Sequence, residues 1–461
     1  FHLDKQLQEV SNYARKHNIV LKGDIPIGIY RHSVDAWTQP HLYHIDAQAG
    51  APPDQFSDDG QNWKFPTYNW KVMAEDGYAW WQDHFKTLSK YFDAFRIDHI
   101  LGFFRIWQIP YKSTSAKLGH FYPAIPVTES ELYNRGIGFD YDRLCKPFIT
   151  GRHLEELFGD QEEYVIKHFL QPTVDNRFAF QVAFDTQRKV ENYFDLHENK
   201  SQEHLKEGLL QLHTEVLFVE EQHTEIQALH PRIAFHKTRS FQYLPLHIQE
   251  RLSDLYEDYY KYRQEELWTK EAMEKLPPIT AATDMLICAE DLGMIPDCVP
   301  QVLKEFDLLT LEIQSMPKKT NDFLQAEHVP YHSVCSPSTH DSAPIRLWWT
   351  IEKEKRNHYI QHFYNHELQR WGEAPAVCYR DIVQQVVQQH LDFESMWAVF
   401  PLSDLLGMSE KLQHPNPAEE RINQPDVIPH YWQYRVHLTM EELLKEEEFN
   451  GLLKGMFEGR R

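Results

Sequence analysis

One stretch constrains the fold of this 461-residue chain more than any other: Tyr91-Phe92-Asp93-Ala94-Phe95-Arg96-Ile97-Asp98-His99-Ile100-Leu101-Gly102-Phe103-Phe104-Arg105-Ile106-Trp107. A short apolar run here ends on an arginine, an aspartate and a histidine, as a buried parallel strand presents polar groups at its carboxyl edge. Arg96 and Asp98 are two residues apart and face the same side of a strand. A fixed positive charge beside a carboxylate favours its ionised form, which a carboxylate nucleophile needs at neutral pH. An isolated R-x-D is nevertheless most often a structural ion pair, so its meaning depends on what the chain sets beside it.

Further runs of the same kind follow. Leu7 to Lys16 has helical spacing, and Ile19 to Ile27 reads as a strand ended by Pro26. His32 to Trp70 is a long segment of Pro, Gly, Asp and aromatic residues, expected to lack regular structure and to be functional. Helical spacing returns from Tyr78 to Tyr91. Later strand candidates are Asp284 to Gly293, containing Cys288-Ala289-Glu290-Asp291, then Leu308 to Ile313, His332 to Ser336 leading into Thr339-His340-Asp341, and Met396 to Phe400. Amphipathic helices are expected over Ile351 to Leu368 and Tyr379 to His390. Strands alternating with helices predict a parallel α/β fold.

A barrel spends roughly 30 residues on each βα unit, yet Asp98 and Glu290 stand 192 residues apart. The excess reads as an inserted helical subdomain, with helical stretches at Tyr164 to Leu170, Gln202 to Glu221 and Ile248 to Lys275. The expected division is therefore a barrel segment at 1–118, the insertion at 119–278 and a second barrel segment at 279–461.

The formal charge of −22 argues against nucleic acid or an anionic membrane surface as the main partner and favours a neutral ligand. Aromatic residues make up 13% of the chain, with 12 Trp and 23 Tyr, and such faces suit sugar rings, although most serve ordinary packing. Five cysteines without C-x-x-C pairing indicate neither a disulfide framework nor a zinc site, and point to a reducing, cytoplasmic setting. The histidines of the insertion, His153, His204, His213, His223, His230 and His236, lack ligand spacing, so no metal is expected. Cys288, near Glu290, reads as apolar filler. No apolar run has membrane-spanning length.

Three carboxylates thus stand at three strand ends: Asp98, Glu290 and Asp341. Their order and contexts resemble the α-amylase clan and, within it, the amylomaltase or disproportionating-enzyme family of 4-α-glucanotransferases. Gly23-Asp24-Ile25-Pro26-Ile27, Ser33-Val34-Asp35-Ala36-Trp37, Gly50-Ala51-Pro52-Pro53-Asp54, Gly60-Gln61-Asn62-Trp63 and Pro401-Leu402-Ser403-Asp404-Leu405-Leu406-Gly407 also look like landmarks of this family. The insertion, the residues around Asp98 and Glu290, and the tail His430-Tyr431-Trp432-Gln433-Tyr434-Arg435 resemble the plant cytosolic disproportionating enzymes and their bacterial counterparts more than the compact amylomaltases. Two departures stand out. The family's nucleophile follows the fourth barrel strand, whereas one strand candidate precedes Asp98 here, and His32 occupies a position where compact members have an acidic residue. The chain, which opens on Phe1, is accordingly expected to be the C-terminal portion of a (β/α)8 TIM barrel with a large helical insertion, partnered by the N-terminal part of the same polypeptide.

The resemblance implies that Asp98 is the nucleophile, Glu290 the general acid and base, and Asp341 the group that holds the reacting glucose together with His340 and His99. The residues themselves agree in part: Arg96 should lower the pKa of Asp98, while an apolar strand and neighbouring Asp291 should raise that of Glu290. Arg96, Trp63, Tyr68, Asp54 and His32 complete the expected sugar-contacting set, and Trp107 is open between stacking on sugar and core packing. Maltose, a maltooligosaccharide or a glycogen- or starch-like glucan is the expected ligand, with no cofactor. An amylase-like hydrolase and an inactive carbohydrate-binding fragment are the alternatives.

Overall fold

The computed structural model describes residues 1–54, 57–173, 176–197, 202–221, 227–319, 323–363, 373–425, 427 and 431–460. Its frame is a set of short, buried parallel strands: β1 (Lys22–Ile25), β2 (Ala94–Ile97), β3 (Leu286–Ala289), β4 (Thr310–Ile313), β5 (Ser333–Ser336) and β6 (Trp397–Ala398). β2 lies between β1 and β3, and β5 between β4 and β6, all in parallel register. The two groups are joined where Ala289 N–H donates to Leu309 O at 2.7 Å and Leu309 N–H donates to Ile287 O at 3.0 Å. The spatial order therefore follows the chain, as in a repeated βα wind. Among the described residues, no strand pairs with the outer edge of β1 or of β6.

Alternation along β2 sorts its side chains. Phe95 and Ile97 are fully buried, and Phe95 packs its ring 4.7 Å from Phe85 of the helix Ala79–Leu88. Arg96 faces the other way, in register with Asp24 of β1 and Cys288 of β3. The apolar side joins Trp70, Trp81, Phe103, Ile287 and Leu303 in the largest core cluster. Burying each such side chain contributes about 1.5–3 kcal/mol, so this face locks the strands and leaves their polar ends to chemistry.

The segment from His32 to Trp70 differs from its expectation, because it builds regular structure with partners far along the chain. Ala47–Ala51 pairs antiparallel with Gln61–Asn62 and with Ile106–Pro110, which pairs in turn with His120–Tyr122. Tyr43–His44 pairs with Thr67–Tyr68. Trp107 thereby lies in a strand, is 1% exposed, and donates its indole N–H to Ala116 O, which settles it as a core residue. Gly28 permits the close approach behind this layer: a Cβ there would meet the Phe65 ring at 2.1 Å.

Residues 119–278 contain helices and two small antiparallel sheets, Ile149–Thr150 with Arg177–Phe180 and Leu170–Pro172, and Phe218–Glu220 with Leu229–Pro231. They carry two apolar clusters of their own. The last helix, Glu265–Thr280, instead sends Trp268, Ala272, Leu276 and Ile279 into the largest core. The first helix extends further than its spacing predicts, over His2–Lys16, with Leu3, Val10 and Tyr13 exposed. The helix expected to run to Leu368 is described as Lys353–Phe363, the remainder lying outside the described residues, as do His223 and His430. Among the described residues, no helix is long and apolar enough to cross a membrane.

Candidate active site

Asp98 directly follows Ile97, and Glu290 directly follows Ala289, and these two strand residues are register partners. Neighbouring strands lie about 4.8 Å apart, so the two carboxylates leave adjacent strands side by side. The backbone braces the second against the first. Glu290 N–H donates to Ile97 O and Ile100 N–H to Glu290 O, both at 3.0 Å. The Glu290 carboxylate accepts His99 N–H at Oε2 (2.8 Å) and Leu292 N–H at Oε1 (3.1 Å). His99 reaches this position with a left-handed backbone, φ 45°, costly for a residue with a Cβ and typical of functional turns.

Burial raises the Glu290 carboxyl to about 8, and the negative charge of Asp98 adds to the rise, against opposition from Arg96 and the His99 N–H. The group is therefore protonated at neutral pH, with a lone pair left on each oxygen for the proton. Asp291 raises the carboxyl as expected, as the smallest of these causes, and its own carboxylate accepts from Lys318 Nζ at 2.7 Å.

Asp98 departs from its expectation. Burial pushes its carboxyl above the ordinary value, and Arg96 lowers it without prevailing. The arginine is shared: its Nη2 donates to Asp98 Oδ1 at 2.9 Å, and its Nε donates to Asp24 Oδ1 at 3.0 Å. The Asp98 side chain keeps 36% of its surface open to solvent.

Asp341 enters from the loop after β5. His340 Nε2 lies 3.0 Å from its Oδ2, and Asn423 donates an amide N–H to Oδ1 at 2.6 Å. Burial alone would raise this carboxyl, but those two bonds and the charges of His340 and Arg96 hold it below the ordinary value. The bond to Asp341 raises His340 in return. The loop is anchored from beneath by buried Asp404, which accepts from Ser338 Oγ and from Ile345 N–H.

Asp98, Glu290, Asp341, Arg96 and His340 thus form one electrostatically coupled group, to which His99 is tied by its backbone N–H on Glu290. Trp63 borders it, its ring 5.0 Å from that of His99 in an edge-on arrangement. Burial lowers the His99 imidazole to about 3, so it is neutral and its backbone N–H makes the contact to Glu290. Three expected residues lie elsewhere. Tyr68 is corrected to a core residue: it is 5% exposed, packed among Tyr43, Trp70, Trp80 and Trp81, and its buried hydroxyl has no partner among the described residues. Asp54 lines a large cavity beside the insertion and accepts Ser57 N–H. His32 is exposed and lines a separate cavity with Arg31, Tyr43 and Tyr111.

Sequence reasoning missed Asp24, Asn423 and Trp432, whose ring lies 5.1 Å from His340. Asp24 had a signal, since it stands two residues before a strand-ending proline and pairs in register with Arg96. Asn423 had none, being one amide in a polar loop.

The profile of the glycoside hydrolase 77 family, 4-alpha-glucanotransferase, matches residues 1–440. A 4-alpha-glucanotransferase DPE2 from Oryza sativa subsp. japonica is 38% identical over 460 residues, covering 98% of this chain and 48% of its own length. A 4-alpha-glucanotransferase of Chlamydia caviae is 37% identical over 462 residues, 98% of this chain and 58% of its own. The chain thus spans about half the length of the curated relatives it matches. An amylomaltase from Streptococcus agalactiae, solved in complex with acarbose, aligns with a TM-score of 0.53 at 19% identity, covering 98% of this chain and 59% of the other, a likeness of α/β fold. With a family profile matched from residue 1 to residue 440 and a rice relative 38% identical over 98% of this chain, the chain belongs to the glycoside hydrolase 77 family of 4-alpha-glucanotransferases.

Proposed function

We propose that this protein is a retaining 4-α-glucanotransferase that moves α-1,4-linked glucosyl units between maltose or maltooligosaccharides and glucan acceptors. The observation that carries the reading is the pairing of a buried Glu290, its carboxyl raised to about 8, with Asp98 at the end of the adjacent strand. Retaining glycosidases hold their two carboxyl groups about 5–5.5 Å apart, close to the spacing of neighbouring strands.

In the first half-reaction an Asp98 carboxylate oxygen bonds to the anomeric carbon. The bond from that carbon to the leaving glycosidic oxygen breaks, and Glu290 gives its proton to that oxygen. Forming the ester removes the negative charge of Asp98, one of the causes that raise Glu290. The pKa of Glu290 falls, leaving it a carboxylate suited to act as base. In the second half-reaction an acceptor hydroxyl gives its proton to Glu290 while its oxygen bonds to the anomeric carbon and the ester to Asp98 breaks. Asp341, ionised and oriented by His340 and Asn423, accepts from the hydroxyls of the reacting glucose and favours its distorted, oxocarbenium-like form. No cofactor enters this chemistry.

The six parallel strands are proposed as part of an eight-stranded barrel, supported by the unpaired outer edges of β1 and β6. Residues 119–278 are proposed as a subdomain added to its catalytic face, bounded by barrel segments at 1–118 and 279–461. The free state of all five cysteines fits a reducing, cytoplasmic setting.

Incubating the intact protein with maltose is expected to yield glucose and oligomers longer than maltose. Glucose alone, with no longer product, would defeat transfer in favour of hydrolysis. The rate is expected to fall as pH rises through about 8, because Glu290 then loses the proton it must donate.

A further inference from the structure

The orientation of the Glu290 carboxyl depends on two segments of chain at once. Its Oε2 takes an N–H from the segment after Asp98, at His99, and its Oε1 takes one from the segment after itself, at Leu292. Away from the carboxylates, the same two segments are tied to each other. Buried Arg105, seven residues past Asp98, donates from Nη2 to Met294 O, four residues past Glu290. Its guanidinium lies 4.1 Å from the Phe121 ring and 5.3 Å from the Trp268 ring. Two aromatic faces and one carbonyl hold this planar fork in a single orientation.

The helix Glu265–Thr280, which closes the insertion, reaches both segments as well. The Glu265 carboxylate accepts Asp297 N–H at 3.2 Å and Cys298 N–H at 2.9 Å, in the segment after Glu290. Ten residues on, buried Lys275, its charge paired with Glu271, donates from Nζ to Phe103 O at 3.1 Å, in the segment after Asp98. Trp268, beside the Arg105 guanidinium, comes between them in the helix. With about 3.6 residues per turn and about 1.5 Å of rise per residue, positions 265, 268 and 275 share one face over about 15 Å. Apolar packing alone would seat this helix, as Ala272, Leu276 and Ile279 do. Burying a guanidinium and an ammonium is costly by comparison, and each aims a hydrogen bond at the main chain beside a catalytic carboxylate.

We propose that Arg105 is a positioning residue which, with the helix Glu265–Thr280, forms a brace that sets the Glu290 carboxyl against Asp98, so that the insertion takes part in acid catalysis; this rests on the transferase reading. Loosening the brace displaces the acid without removing it. Cleavage of maltotriose needs the Glu290 proton on the leaving oxygen. With α-maltosyl fluoride, an Asp98 oxygen bonds to the anomeric carbon as fluoride leaves unprotonated, so that proton is not needed.

Both substrates are followed through the first turnover by rapid quench, beside hydrogen exchange of the intact protein read by mass spectrometry. In Arg105→Met, maltotriose cleavage should fall at least about tenfold relative to fluoride release. Exchange should quicken in both 99–105 and 291–298, while 149–172, which includes two strands of the insertion's own sheet, keeps the wild-type rate. Glu265→Ala should quicken 291–298 alone. An equal fall for both substrates, the mark of a merely structural residue, overturns the proposal, as does wild-type exchange in both segments of Arg105→Met. Where Arg105→Met also quickens 149–172, the chain has loosened as a whole and Glu265→Ala decides: quickening confined to 291–298 with a lowered maltotriose ratio supports the brace, and any other result overturns it. A wild type that cleaves neither substrate defeats the transferase reading, and exchange then decides the brace alone.

Discussion

Asp98 and Asp341 follow two parallel strands of one sheet, each has a basic residue close before it in sequence, and their side chains are exposed to similar degrees, 36% and 43%. Their carboxyls nevertheless shift in opposite directions: Asp98 lies above its ordinary value and Asp341 below. The difference is in how donors are shared. Asp341 receives one donor on each oxygen, from His340 and Asn423. Asp98 has one side-chain donor, Arg96, which also serves Asp24. A cation nearby is therefore a weaker guide to ionisation than the number of donors a carboxylate has to itself. The division suits the chemistry: the nucleophile keeps an oxygen free to attack, and the group that grips hydroxyls is locked in place.

The comparison breaks most decisively at the nucleophile. Asp98→Asn should cost about 10⁴-fold or more in kcat, because no other group can form the ester. Steady-state transfer from maltose checks this, and a loss below a hundredfold would remove Asp98 from the role. Arg96→Met should come next, at about 10²-fold, since it withdraws the charge that faces Asp98, Glu290 and Asp341 together. Its pH profile is the sharper reading. Asp98 must be ionised to attack and Arg96 lowers its pKa, so the variant's acid limb should move to higher pH. Asn423→Ala should cost about tenfold, the worth of one charge-assisted hydrogen bond, and move the acid limb less than Arg96→Met, since Asn423 holds down Asp341 alone. An acid limb that moves equally in both variants would erase the distinction between the two aspartates.

Much of this site was legible in the sequence because strand-end chemistry is local. Phe95-Arg96-Ile97-Asp98 and Cys288-Ala289-Glu290 each carry in a few residues both the apolar run that buries the strand and the carboxylate that leaves it. The direction of the Glu290 shift followed from the same pattern. The direction of the Asp98 shift did not, since it is set first by burial, which tertiary packing supplies, with the charges of Asp24, 74 residues earlier, and of Asp341 added to it. Tyr68 misled for a related reason. A tyrosine in a polar, proline-rich stretch looks exposed until Thr67–Tyr68 is seen to pair with Tyr43–His44 and turn the ring into a tryptophan cluster. The wall of the large cavity had no signal, because it joins residues near 60 to residues near 210 through tertiary packing alone.

Asp24→Asn tests the Asp24 charge and should have the smallest effect. Asp24 acts on Asp98 by two routes that point the same way: its charge raises the Asp98 carboxyl, and its hold on Nε divides the arginine. An asparagine keeps the oxygen that Nε bonds to, so the geometry of Arg96 is retained and only the charge is removed. The acid limb of kcat/KM should then move to lower pH, by less than about one unit, with kcat at neutral pH altered less than about threefold. A purely structural role for Asp24 would instead lower kcat at every pH and leave the limb in place. The direction of the limb therefore separates the two: Arg96→Met moves it up, Asp24→Asn moves it down, and a purely structural Asp24 gives only the first of those signs.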